Sequence, residues 1–282
     1  KVVANAGEVR ITADGKLHNS GLVHSTQQTE IRTQKGVANS GTVYARTKVK
    51  VVTQANIDNS GLIGAQEDTT LIAEGETSRI DSSAGSVLIA GLNPDGTAGV
   101  TGTLTMTAEE HLHAGGVNQA AEKIAASSPV ISLGGSTTAA PIIQLDALPA
   151  QRRQQQGGRK TIGSSADIAP TSRDITAGTG AGGNEIGAGD IDLYGATILG
   201  SEAVIVNTRG TLRTDKAVVV ADTLSLSAQT LSNRSGQIVQ TGDDALLMAF
   251  TAGIDNSSGA ISGQRAVVVE SRSLQNDGGA IH

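Results

Sequence analysis

Leu17-His18-Asn19-Ser20-Gly21 returns as Val37-Ala38-Asn39-Ser40-Gly41 and again as Ile57-Asp58-Asn59-Ser60-Gly61. The glycines at 21, 41 and 61 are spaced by 20 residues. A fixed period of this size marks a stacked repeat. A weaker copy opens the chain at Val3-Ala4-Asn5-Ala6-Gly7, and a Ser version follows at Ile80-Asp81-Ser82-Ser83-Ala84-Gly85. Downstream the motif returns as Leu231-Ser232-Asn233-Arg234-Ser235-Gly236, Ile254-Asp255-Asn256-Ser257-Ser258-Gly259 and Leu274-Gln275-Asn276-Asp277-Gly278-Gly279. Two residues after each of these glycines stands Val or Ile: Val9, Val23, Val43, Ile63, Val87, Ile238, Ile261 and Ile281. A third apolar position falls at Ile31, Val51 and Leu71. Around these points apolar and polar residues alternate, as in Val49-Lys50-Val51 and Leu224-Ser225-Leu226. Period two means short strands with one buried face.

A unit of 20 residues holds two or three such strands and their turns. Alone it cannot bury its apolar side. Stacking sets Val23 beside Val43 and Ile63 and makes aliphatic ladders along one continuous core. The expected fold is all-β: a parallel β-helix, right-handed by the crossover rule. About ten coils at a spacing of about 4.8 Å would give a rod near 50 Å long. At the turns, Asn tolerates the left-handed conformation and can bond to the Asn of the next coil, while Gly supplies positive φ. An antiparallel sandwich would not keep this register, and the Leu/Asn consensus of a leucine-rich solenoid is absent.

Composition agrees. Only two Tyr and one Phe are present, with no Trp, so the core must come from Val, Ile, Leu and Ala. Thin layers allow that. Cysteine is absent, which excludes disulfides and Cys-based metal sites. A net charge of −6 argues against a nucleic-acid partner, which needs a basic face. No apolar run approaches the roughly 20 residues that span a bilayer. The chain starts at Lys1 and stops within a repeat, at Gly279-Ala280-Ile281-His282, and reads as a stretch cut from something longer. Open strand edges at its ends predict some end-to-end association.

Three segments are expected: β-helix repeats over 1–114, an irregular Gly/Ala/Ser-rich insertion over 115–189, and β-helix repeats again over 190–282. Within the insertion, Val117 to Ser127 suggests a short helix. Pro129 to Leu133 and Pro141 to Leu145 hold short apolar runs, and Gln151 to Lys160 is basic and polar. A solenoid tolerates an excursion at a coil corner because loop closure costs rise slowly with length.

The pattern apolar-x-Asn-Ser-Gly-x-Ile/Val resembles the haemagglutinin-type repeats of two-partner-secreted exoproteins. These include filamentous haemagglutinins and the filament proteins of contact-dependent growth inhibition. The resemblance covers 1–114 and 190–282. It implies a rod exported by an outer-membrane transporter to the surface of a Gram-negative bacterium or beyond, acting in adhesion or cell–cell contact. A receptor or glycan on host or bacterial cells is the implied partner. The family's N-terminal secretion domain and C-terminal toxin region find no counterpart here; Asn93-Pro94-Asp95-Gly96 is read as a turn. The stretch therefore reads as structural shaft.

Chemistry is sparse. The cluster Arg152, Arg153, Arg159 and Lys160 could meet sulfated glycan or lipid headgroups, and is the candidate ligand-binding set if the insertion is a recognition module. The stacked Asn19, Asn39 and Asn59 read as structural. His111 and His113 would share a strand face beside Glu109 and Glu110, but lack an evident third ligand. Gly178 to Gly189 lacks both the tandem Asp of calcium-binding nonapeptides and the Lys of a phosphate loop. A carbohydrate-active β-helix would need converging carboxylates, and Asp58 with Asp81, or Asp255 with Asp277, are the candidates. The residues flank turns, and aromatic sugar platforms are missing. No enzyme, cofactor or metal site is assigned.

Overall fold

The computed structural model describes residues 1–92, 97, 99, 101–147, 178–179, 185–186 and 189–282. The described residues form an all-β parallel solenoid of about 12 turns with roughly 20 residues per coil and no helix. Each coil has three faces. First-face strands include Leu17–Asn19, Val37–Asn39, Ile57–Asn59, Arg79–Ser82 and His111–Ala114. Second-face strands include Leu22–Ser25, Thr42–Ala45, Leu62–Ala65 and Val87–Ala90. Third-face strands include Gln28–Thr33, Lys48–Thr53 and Asp68–Ala73. In later coils the corners smooth out. Thr197–Thr208 runs through the second and third faces with a register shift between Gly200 and Ala203, and Val218–Ser232 passes through all three.

Three inward ladders make the core. On the first face, Val37, Ile57, Ile80, Leu112, Ile131, Ile191, Leu212, Leu231 and Ile254 are in register. The second face stacks Val23 on Val43, Ile63 and Leu88. The third stacks Ile31 on Val51, Leu71 and Met106. Each such side chain is essentially dry, and full burial of one contributes about 1.5–3 kcal/mol.

Several details depart from the sequence reading. Val2–Ala4 pairs with Val23–Ser25, so Val3-Ala4-Asn5-Ala6-Gly7 is not a copy of the Asn corner. Val9 then lies on the third face beside Thr29. Val87 pairs with Leu62 and points outward, and Leu88 takes the ladder position beside Ile63. The segment Val117 to Ser127 is not helical: Val117–Ala120 and Lys123–Ser127 are strands in register with the coils on both sides. Its Ala, Gln, Glu and Lys favour a helix only weakly. A helix there would leave the strand edges at Val87–Ala90 and Thr103–Ala108 unpaired, and this tertiary demand outweighs propensity. Regular coils therefore continue from 115 to Ala147, past the expected boundary at 114, and run on again from Ile191. These extra coils account for a count above ten.

The corner chemistry also differs. Gly21, Gly41 and Gly61 do not have positive φ, nor do Asn19, Asn39 and Asn59. Gly41 and Gly61 are required by close approach to the preceding coil: a Cβ on Gly61 would lie 2.0 Å from the Gly41 carbonyl oxygen. At this corner left-handed residues enter where later corners are one residue longer, at Gly135, Gly195, Lys216, Ser235, Ser258 and Gly278. The asparagines point inward. Asn39 Nδ2 donates to Asn59 Oδ1 at 2.8 Å, and Asn19 Nδ2 to Asn39 Oδ1 at 2.7 Å. A second ladder joins Asn233 to Asn256 and Asn256 to Asn276, both at 2.7 Å.

Candidate functional site

The first face carries the most polar outward row. Its register places Asp58, Asp81, His113, Ser132, Asp192 and Arg213 on successive coils. Asp58 and Asp81 are stacked neighbours, as the sequence suggested. Asp58, however, holds Lys16 at 2.8 Å. Asp255 and Asp277 are not stacked: Gln275 is the register partner of Asp255, which holds Arg234 at 2.6 Å. Burial alone would raise the Asp255 carboxyl, but hydrogen bonds from Ser257 and Arg234 outweigh it and lower its pKa.

His111 and His113 do share one face of a strand, with ring centroids 6.5 Å apart. Burial lowers the His111 pKa, and His113 and Arg79 reinforce this against Asp81. His111 is thus held neutral and its Nε2 is buried without a partner. His113 Nδ1 lies 3.4 Å from Ser132 Oγ. Asp81, His113 and Ser132 thus form a line, but Ser132 is only 2 % exposed, so its hydroxyl is not presented to a substrate. No group of three or more His, Asp or Glu that could hold a metal ion occurs among the described residues.

The row ends in a packed network that the sequence reading missed. Arg213 Nε meets Asp215 Oδ2 at 3.1 Å, and its Nη1 lies 3.6 Å from Asp192 Oδ1. The guanidinium sits 4.4 Å over the Tyr194 ring, with Lys216 Nζ at 5.4 Å. Ser232 Oγ donates to Asp215 Oδ1 at 2.7 Å. The Tyr194 amide donates to Asp192 Oδ1 at 3.0 Å, while Asp192 Oδ2 is buried without a partner. Burial raises the Asp192 pKa, and the Tyr194 amide and Arg213 only partly offset it. The folded pKa therefore exceeds the unfolded one, and the fold holds this proton more tightly. Its contribution to stability falls as pH rises through that window and recovers as pH falls toward 3.8. Asp192→Asn keeps the Oδ1 acceptor and removes the titration. In thermal denaturation across pH, the variant is expected to match or exceed the parent at neutral pH, with the gap narrowing on acidification. A parent advantage that grows with pH would show that attraction to Arg213 exceeds the cost of burial.

Arg152, Arg153, Arg159 and Lys160 lie outside the described residues, as do Asn93-Pro94-Asp95-Gly96. Of the glycine-rich stretch, Gly178–Thr179 pairs antiparallel with Glu185–Ile186.

No family model matches the chain, and no solved structure matches it. Over 261 residues, 93% of the chain, it is 32% identical to Toxin CdiA of Yersinia pestis. Homology and solenoid together fit a filamentous-haemagglutinin-type repeat region of a two-partner exoprotein. The chain spans 7% of the length of that relative. The matched stretch therefore corresponds to a short length of that much longer relative. Its ladders, rather than any cleft, are its most developed feature.

Proposed function

We propose that this chain is a length of shaft in a large surface filament, and that it acts by reach and rigidity rather than by chemistry. The carrying observation is the unbroken register of the first-face ladder from Leu17 to Leu274. A side chain on every coil serves the stack, and the polar row is taken up in internal pairs. At about 4.8 Å per coil, 12 coils span nearly 60 Å. The parent filament, by analogy with the toxin it matches, is a contact-dependent inhibition or adhesin protein. It would be carried across the outer membrane of a Gram-negative bacterium by a partner transporter and displayed at the surface.

A second reading places recognition in the excursion between Ala147 and Gly189. The coils on either side close over the gap, since Ile131 pairs with Ile191 and Ile143 with Val204. The rod does not need this segment, and it carries the basic cluster Arg152, Arg153, Arg159 and Lys160, which suits a sulfated glycan or an acidic receptor.

Binding of the purified chain to epithelial and bacterial cells tests both readings, with and without residues 148–188. If shaft is the whole role, both forms bind alike or not at all, and both keep a β-rich far-ultraviolet spectrum. If deletion abolishes binding while the spectrum is retained, the excursion is the recognition element.

A further inference from the structure

The first face is narrowest around Ile191–Asp192. That strand meets Val130–Ser132 and Thr211–Arg213 through two register pairs each, against three or four on the preceding steps. One coil before Val130–Ser132 lies the strand His111–Ala114. Each coil of a solenoid contacts only its neighbours, so a weak step is not repaired by coils further along. The register sets His111 between Arg79 and Val130, and His113 between Asp81 and Ser132. The two imidazoles therefore meet acid differently. A proton on His113 faces the Asp81 carboxylate and Ser132 Oγ, which lies 3.4 Å from Nδ1. A proton on His111 arrives beside the Arg79 cation and a second imidazole 6.5 Å away. Imidazolium donates from both ring nitrogens, and the His111 Nε2 is buried without a partner. The next coil offers no counter-charge, since Val130 is apolar and Ser132 neutral. Glu109 and Glu110 stand in the turn before the strand, where the Glu110 amide donates to the Ser78 carbonyl. Asp190 and Asp192 lie one coil beyond Val130–Ser132 and serve the Thr211 amide and Arg213. Burial, then His113, hold His111 below its ordinary 6.5; Arg79 adds to them, and Asp81 opposes them without prevailing.

We propose that His111 makes this stretch an acid-responsive joint in the rod. Neutral, the ring packs between coils; protonated, it forces the strand His111–Ala114 away from its neighbours, because a charged donor cannot stay enclosed without an acceptor. The closed strand binds this proton less readily than the open one. The closed form is therefore undisturbed above pH 6.5 and loses stability as pH falls from there through the His111 pKa. Asp192 acts in the opposite sense and favours the closed rod on acidification, so the acid response belongs to His111. In a shaft that acts by rigidity, this is the coil whose stiffness answers to pH. That use rests on the shaft reading; the joint itself does not.

Hydrogen exchange of the intact chain, corrected for the chemical pH dependence of amide exchange, tests it between about pH 7.5 and about pH 5, the span over which imidazole changes charge. Opening at 111–114 and 130–132 is expected to rise on acidification, by up to about tenfold for each unit by which His111 lies below 6.5. Val37–Asn39 and Ile57–Asn59 are expected to keep their protection. His111→Leu is expected to abolish the rise, as is His111→Gln, and Asp192→Asn to retain it. Imidazole titration of the parent by NMR depends on no variant's folding and is expected to place the His111 midpoint below 6.5. Equal protection at both pH values, a loss spread evenly over the coils, a loss that survives without His111 or vanishes with Asp192→Asn, or a His111 midpoint at or above 6.5 overturns the proposal. Cell binding bears on none of these outcomes, so the joint and the shaft role fail separately.

Discussion

Gly61→Ala is expected to lower stability by about 3 kcal/mol or more, whereas Gly85→Ala is expected to be neutral or slightly stabilising. A Cβ on Gly61 would meet the Gly41 carbonyl oxygen at 2.0 Å and the Ser40 carbonyl carbon at 2.8 Å. Both atoms are backbone of the preceding coil and cannot rotate away. Relief requires the coils to separate, which stretches the Leu62 amide bond to the Gly41 carbonyl, now 2.9 Å, and opens the Val43–Ile63 contact beside it. A Cβ on Gly85 meets nothing within 4 Å, and its φ is not in the left-handed region. Alanine there gains about 0.4–1 kcal/mol by restricting the unfolded chain. Urea unfolding of the two variants beside the parent makes the measurement. Equal losses would mean that the repeat glycine is selected for turn flexibility, as the sequence alone suggested, and not for coil-to-coil contact.

That contrast shows what the sequence could disclose. A period of 20 and recurring Asn, Gly and Ile or Val were enough for the solenoid, because every coil solves one packing problem in nearly the same length. Register within a coil was harder. Val9 and Val87 satisfied the spacing and still occupied other positions: Val9 is buried on the third face beside Thr29, and Val87 stands half-buried and outward, a site Val tolerates as readily as the core. The segment 115–147 was lost for the opposite reason. Its second-face inward positions are Asn118 and Thr138, polar residues where the ladder is elsewhere aliphatic. They are buried and joined at 3.1 Å. No apolar pattern could report that pairing. The Asp192, Arg213 and Asp215 network was illegible because Asp192 and Arg213 meet only when two consecutive coils stack, with no Asn-Ser-Gly copy to mark their register, and none of it crosses the gap between Ala147 and Gly189. The candidate basic residues at 152, 153, 159 and 160 belong to that gap.

Asn39→Ala is expected to cost about 2–4 kcal/mol, the range for stranding several buried polar groups. Asn39 is 2 % exposed. Its Nδ2 serves Asn59 Oδ1 at 2.8 Å and the Gly41 and Leu62 carbonyls at 3.2 Å, and its Oδ1 receives Asn19 Nδ2 at 2.7 Å. Removing one amide therefore orphans partners on both adjoining coils. Asn276 ends its ladder, is half-buried, accepts from Asn256 at 2.7 Å and donates to Gly279 at 3.2 Å. Asn276→Ala should accordingly cost only about 1 kcal/mol. The same rod shows that the position does not require a polar group: Leu133 and Leu193 fill it on neighbouring coils and are fully buried. What fails is a polar residue next to an apolar one. Asn39→Leu and Asn59→Leu should each be costly, and the double variant should cost clearly less than their sum, since the amides they leave unpaired are partly each other's. Strict additivity in chemical denaturation would mean that the asparagines act separately on their own corners. Sub-additivity would establish the ladder as a register lock, because sliding one coil by a single residue turns its amide outward and leaves its neighbours' unmatched.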